Sequence, residues 1–153
     1  MTIVEWLQEL LRLMGFTSAR VKEADTDKLG NRWLVIDRHS VTDVEASYLI
    51  GDGGSGLDAL QTLVNLVFNQ GHTYIVELDG FRQQQLTVLE DMAKQALAYV
   101  RASNGSYTIS RLSPAARRYI HLLLKEYSDV ETFSEGEEPN RQLIVRWVGV
   151  KDA

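Results

Sequence analysis

The sequence predicts an α+β protein made of two small units, and three observations carry that expectation. Stretches of helical periodicity alternate with short segments rich in β-branched and aromatic residues along all 153 residues. The order of helices and strands changes at Gly80. Charge divides near the same point: residues 1–80 hold 6 Lys and Arg against 12 Asp and Glu, whereas residues 81–153 hold 10 against 9. The expected units are therefore 1–80 and 81–153, and any polyanion is expected to be held mainly by the second.

Thr2 to Gly15 reads as a helix. Thr2 and Glu5 have capping-box spacing, Ile3, Leu7, Leu10, Leu11 and Met14 form an apolar stripe, and Gly15 supplies the stop. Residues 17–24 and 31–37 read as strands joined by the turn "DTDKLGN". "TDVEASYLIGDGGSGLDALQTLVNLVFNQ" reads as a short helix, a glycine loop and a longer helix on which Leu57, Leu60, Leu63, Val64 and Val67 recur at helical spacing. "TYIVELDG" is a third strand. Beyond Phe81 a long helix turns Leu89, Met92, Ala93, Ala96 and Val100 inward and ends before Gly105. "SYTISRL" is a strand. Ser113 and Pro114 open another helix as N-cap and first residue, with Ala116, Ile120, Leu123, Leu124 and Tyr127 as its core stripe. "VETFSEG" and "RQLIVRWV" are strands flanking the polar loop "SEGEEPN".

Composition removes several function classes. With no cysteine, a disulfide framework, a thiol nucleophile and a cysteine-rich zinc site are excluded, and a reducing, cytoplasmic setting is expected. No apolar run approaches the ~18 residues of a membrane span, and "MTIVEWLQELL" lacks the basic start of a signal peptide. His39, His72 and His121 have no metal-ligand spacing. No serine stands in a G-x-S-x-G elbow, so no enzyme, metal or cofactor is expected. Glu135, Glu137 and Glu138 read as a solvated acidic turn. Trp6, Trp33 and Trp147 are expected in the core, with base stacking as a second reading for Trp147 beside Arg146.

The glycine loop "IGDGGSGLD" admits two ligand readings. Gly51, Gly53 and Gly56 spell G-x-G-x-x-G, but the segment before Gly51 carries acids and alanine rather than a buried strand, and no further βαβ units follow. Leu57 stands where a Walker loop requires lysine. Gly51 to Gly54 also spell G-x-x-G, with Asp52 and Gly53 between. A turn without a ligand would account for the glycines alone. The context favours more. A helix, two strands, helix–GxxG–helix and a strand is the element order of a type II KH domain, whose glycines let a phosphodiester backbone approach a helix N-terminus.

In the second half, Arg117 and His121 lie four apart and share a helix face, which Arg118 and Lys125 extend into a basic stripe. A solvated helix face is the bland reading. A phosphate clamp, with arginine for bidentate contact and histidine as donor or stacking plane, is the functional one.

"LIGDGGSGLDALQTLVNLVFNQ", "LDGFR", "SPAARRYIH" and "SEGEEPNRQLIV" together resemble the C-terminal half of the Jag (SpoIIIJ-associated) family, over essentially the whole chain. That half is a type II KH domain followed by a small nucleic-acid-binding domain named for its R-x-x-x-H motif. The resemblance implies a three-stranded sheet with helices, then a small sheet with two helices. It implies non-enzymatic binding of single-stranded RNA, with single-stranded DNA as the close chemical alternative, in the bacterial cytoplasm and in the control of cell elongation and division. Gly51, Asp52, Gly53 and Gly54 would then be the KH loop, Arg117 and His121 the naming pair, and Ser134 to Pro139 with Arg141 a further signature. The expected RNA contacts are these residues with Arg118 and Lys125. The sequence departs from the family where basic residues usually stand: Asp52 and Gly53 fill the loop, and Gln83, Gln84 and Gln85 follow "LDGFR". A carboxylate about 4 Å from a phosphate costs about 1 kcal/mol in water and about 4 kcal/mol near a protein surface. The family's N-terminal domain and linker have no counterpart in these residues. The rival expectation is a degenerate KH domain that docks a partner protein, such as a second small KH protein.

Overall fold

The computed structural model describes residues 1–149 and divides into two compact units, Met1–Gln84 and Gln85–Ala153. Residues 150–153, the end of the expected second unit, lie outside the described residues.

The first unit opens with α1 (Ile3–Leu13). Thr2 Oγ1 accepts the Glu5 N–H and the Glu5 carboxylate accepts the Thr2 N–H, so the capping box forms in full. Gly15, at φ +102°, turns the chain back, and Phe16 N–H reaches the Leu11 carbonyl. Residues 17–20 are not strand. Ala19 N–H bonds to the Phe16 carbonyl, a local turn that delays pairing until β1 (Val21–Ala24). β2 (Asn31–Ile36) is the central strand. It pairs antiparallel with β1 and parallel with β3 (Thr73–Leu78), with Leu34 opposite Val76. A parallel neighbour needs a long crossover, supplied by α2 (Asp43–Ile50) and α3 (Ser55–Val67). Leu7, Leu11, Leu34, Ile36, Leu57, Val64, Val76 and Leu78 fill the core.

Two expected core assignments change. Met14 is exposed, lying past the end of α1. On α3 the buried stripe is Leu57, Leu60 and Val64, and Leu63 and Val67 are exposed. Leu63 stands one residue, about 100°, around the helix from Val64, beyond the strip that the sheet covers.

The second unit is built on α4 (Phe81–Ser103), which begins before the division, and α5 (Pro114–Leu124). Its sheet is antiparallel throughout, in the order β4–β6–β5: β4 is Ser106–Ile109, β5 Val130–Glu135 and β6 Gln142–Trp147. Leu89, Ala93, Ala96, Leu97, Val100, Ile120, Leu124, Leu143 and Val145 make its core. Tyr127 is 40% exposed rather than buried, because α5 ends at Leu124 and its period does not extend that far. The Tyr127 ring lies under the Arg101 guanidinium, 5.1 Å from its centroid. Arg101 also holds Asp129 through Nε at 2.7 Å, and that hydrogen bond, with the charge behind it, lowers the Asp129 carboxyl below its ordinary value. No helix among the described residues is long and apolar enough to cross a membrane.

Candidate nucleic-acid interface

The glycine loop sits in the first unit between α2 and α3. Gly51 has φ +72° and ψ −178°, a conformation side chains avoid, and a Cβ there would stand 2.7 Å from the Gly56 nitrogen. Gly54 has φ +90°, and a Cβ there would run into the Phe81 ring. Gly56 is also required, since its Cβ would strike the Leu49 carbonyl. Packing therefore accounts for three glycines without a ligand. Gly53 meets nothing within 4 Å, and Asp52 and Gly53 form the exposed tip of a single 3-10 turn, Asp52–Gly54. No side chain caps the N-terminus of α3, so its positive end is left to whatever approaches the loop.

"LDGFR" has a structural role that periodicity did not disclose. Glu77 is 5% exposed; its Oε1 accepts the N–H groups of Leu78 and Arg82, and its Oε2 that of Gln83. A buried carboxylate thus satisfies the first turn of α4 and favours its dipole. The Arg82 guanidinium, also buried, donates to the Val76 carbonyl and Gln61 Oε1 and pairs with Asp58 at 2.8 Å. The signal was an acid and an arginine five residues apart around a glycine turn.

The predicted basic residues of the second unit converge. Pro114, Arg117, Arg118, His121, Phe133, Ser134 and Arg141 line an open cleft of about 450 Å³. Ser113 Oγ accepts the Ala116 N–H, and Pro114 has no N–H to offer, so the α5 terminus is largely satisfied. Lys125 lies at the far end of α5, exposed and outside the cleft lining.

The cleft residues are not equivalent. Arg117 belongs to no solvated stripe: it is 5% exposed. Its Nη1 donates to the Leu112 carbonyl at 2.7 Å and, longer, to the Arg141 carbonyl at 3.4 Å; its Nη2 pairs with Glu138 Oε1. Glu138 is thus half of an ion pair rather than a member of a merely solvated turn. The half-buried His121 shares a hydrogen bond between Nδ1 and Thr132 Oγ1, tying α5 to the edge strand β5. Arg118 is exposed. Arg141 donates Nη1 to the Gly136 carbonyl at 2.7 Å, leaving the rest of its planar fork toward the cleft it lines. Glu138 offsets the charge of Arg117, so the cleft's net positive character comes from Arg118 and Arg141. Two guanidinium forks at the rim of a groove can take phosphate oxygens bidentately.

Sequence reading missed Phe133 as a cleft residue. Trp147 packs against the second core, and Trp33 is buried at 6% exposure.

This combination of small sheet, helix pair and arginine–histidine face defines a class. Residues 87–146 match the family described as the arginine–three–histidine (R-x-x-x-H) domain, so the second unit carries an R-x-x-x-H domain. Three curated relatives carry the name RNA-binding protein KhpB. The protein of Clostridium symbiosum is 40% identical over 147 residues, covering 93% of this chain and 63% of its own length. That of Lactiplantibacillus plantarum is 26% identical, over 94% of this chain and 43% of its own length. That of Bacillus subtilis is 29% identical, over 71% and 55% respectively. The chain therefore spans less than two thirds of each of these relatives.

Proposed function

We propose that this chain is a non-enzymatic binder of single-stranded RNA, and that the cleft of the second unit is its principal contact surface. The observation that carries the reading is the convergence of Arg117, Arg118, His121 and Arg141 on one cleft. The match to the R-x-x-x-H domain and the name of the relatives support it. Arg118 and Arg141 contact phosphate. Arg117 and His121 are positioning residues: the first holds the β5–β6 connection, the second holds β5 against α5. Lys125 contributes at longer range, where salt screens it. Single-stranded DNA offers the same phosphates and is the expected weaker ligand.

The first unit is read as a type II KH domain. Its loop, Gly51 to Gly54, presents an uncapped helix terminus to the RNA backbone, with Asp52 weakening the contact. By the family resemblance the proposal extends to a regulatory role in elongation and division of a bacterial cell, in the cytoplasm. A rival reading has one specific observation behind it: Val44, Tyr48 and Leu66 of the acidic first unit are 80%, 74% and 72% exposed, a surface suited to docking a protein such as a second small KH protein. Pull-downs with and without nuclease separate the two, since docked protein partners survive nuclease and RNA-bridged ones vanish.

Photo-crosslinking to a 4-thiouridine oligonucleotide, followed by peptide mapping, tests the placement. Crosslinks within 114–121 and 133–141 are expected; crosslinks confined to other segments would overturn it.

A further inference from the structure

The outer face of the second sheet holds an aromatic residue that the fold does not use. Strand alternation sends Val130, Thr132 and Ser134 of β5 toward the helices and Glu131, Phe133 and Glu135 away from them. Phe133 is 38% exposed and has no place in the second core, nor does Ile144 opposite it on β6. Register explains its neighbour. Glu131 stands opposite Arg146, so Arg146 is diagonal to Phe133, within reach of a long side chain. The Arg146 guanidinium lies 5.5 Å from the Phe133 ring centroid and pairs with Glu131. Phe133 also lines the cationic cleft, beside Arg117, Arg118, His121 and Arg141. A large apolar ring is thus held by a cation at the edge of a phosphate-binding groove, with more than a third of its surface open to solvent.

We propose that Phe133, backed by Arg146, is a stacking platform for one nucleobase of a single strand whose flanking phosphates lie on Arg118 and Arg141. This rests on the RNA-binding reading of the cleft and gives it a further contact of a different chemistry. Phosphate forks read charge, which duplex and single strand share. An aromatic face takes only an unstacked base, and so selects single strands. Base stacking is stronger for purines, so adenine-rich oligonucleotides are preferred over uracil-rich ones. The aromatic residue beside Arg146 in sequence is Trp147, but β6 turns Trp147 to the helix side, and the ring that Arg146 covers comes from the neighbouring strand.

The test is fluorescence anisotropy with oligo(A) and with an abasic oligonucleotide of equal length and charge, on wild type, Phe133→Ile and Phe133→Trp. Isoleucine keeps a β-branched strand former and removes the π face; tryptophan keeps the face. Wild type is expected to bind oligo(A) about tenfold more tightly than the abasic strand, Phe133→Ile to lose that ratio, and Phe133→Trp to retain it with quenching of its indole. The slope of affinity against salt is expected to be unchanged, because no charge is removed. Wild type that binds both oligonucleotides equally, or Phe133→Ile that matches wild type, overturns the platform while leaving the cleft reading intact. Wild type that binds neither overturns the cleft reading itself.

Discussion

Arg117 and Glu138 form an ion pair that closes the β5–β6 connection onto the start of α5. The two ends differ: the Arg117 side chain is 6% exposed and that of Glu138 is 53%. With two backbone carbonyls on the same guanidinium, the arginine works as a cross-link at the base of the cleft. Replacing it leaves those carbonyls without a charged donor. Arg117→Ala is expected to lower stability by about 2–3 kcal/mol, and Arg117→Lys to recover only part, since an ammonium cannot span three directed partners. Urea unfolding of the two variants checks this. Wild-type stability in both would mean that Arg117 serves the ligand alone.

Arg118 and Arg141 should behave oppositely. Neither is buried in the core, so their alanine variants are expected to unfold as wild type does, within about 0.5 kcal/mol. Each is expected to weaken RNA binding and to reduce the salt slope by about 0.7 for every single-strand phosphate that the variant no longer neutralises. Anisotropy at several salt concentrations reads both effects. An unchanged slope in either variant would remove that arginine from the phosphate path.

The glycines of the α2–α3 loop divide into two groups that substitution can tell apart. Gly54→Ala drives a methyl into the Phe81 ring at φ +90°, and a loss of about 2–3 kcal/mol is expected from overpacking and backbone strain together. Gly53→Ala meets no atom within 4 Å and bears only its φ of +60°, so about 1 kcal/mol is expected. Equal effects at the two positions in thermal or urea unfolding would contradict the packing account.

Asp52 tests whether that loop faces phosphate. Asp52→Lys removes a repulsion and adds an attraction, each about 1 kcal/mol near 4 Å in a high-dielectric setting. RNA binding is expected to tighten about tenfold at low salt, with less gain at high salt. No change, or weaker binding, would take the loop out of the interface.

Asp27 offers a pH test of the first unit. Burial pushes its carboxyl up. Hydrogen bonds from Trp33 Nε1, the Asn31 N–H and side chain, and the Leu29 N–H outweigh that and hold it below its ordinary value of 3.8. A group whose folded pKa is depressed stabilises the fold above its unfolded pKa and loses that contribution as pH falls through the folded one. The stability gap between wild type and Asp27→Asn is therefore expected to be constant from pH 7 to about pH 5 and to shrink below about pH 4. A gap that widens in acid would contradict the assignment.

Much of the fold was legible because local signals agreed with one another. The Thr2–Glu5 box, the Ser113–Pro114 start and the alternation in β3 each act within a few residues, and each element formed. The illegible parts depend on distant partners. Nothing near Arg117 in sequence announces that it is buried, because Glu138 and the Arg141 carbonyl reach it from a loop more than twenty residues away. Tyr127 looked like core by extending a helical period past the helix's actual end. Phe133 was hidden because alternation places a side chain on a face but does not say which face is covered.

The central claim is that the cleft of the second unit binds single-stranded RNA through phosphate contacts. The measurement that tests it most directly is fluorescence anisotropy of a short single-stranded RNA, titrated with salt, on wild type and on the Arg118→Ala/Arg141→Ala variant. The account predicts salt-dependent binding by wild type, and a double variant that stays folded, binds at least tenfold more weakly and shows a shallower slope. Binding of equal strength and slope in the double variant, or no binding by wild type at low salt, would contradict it.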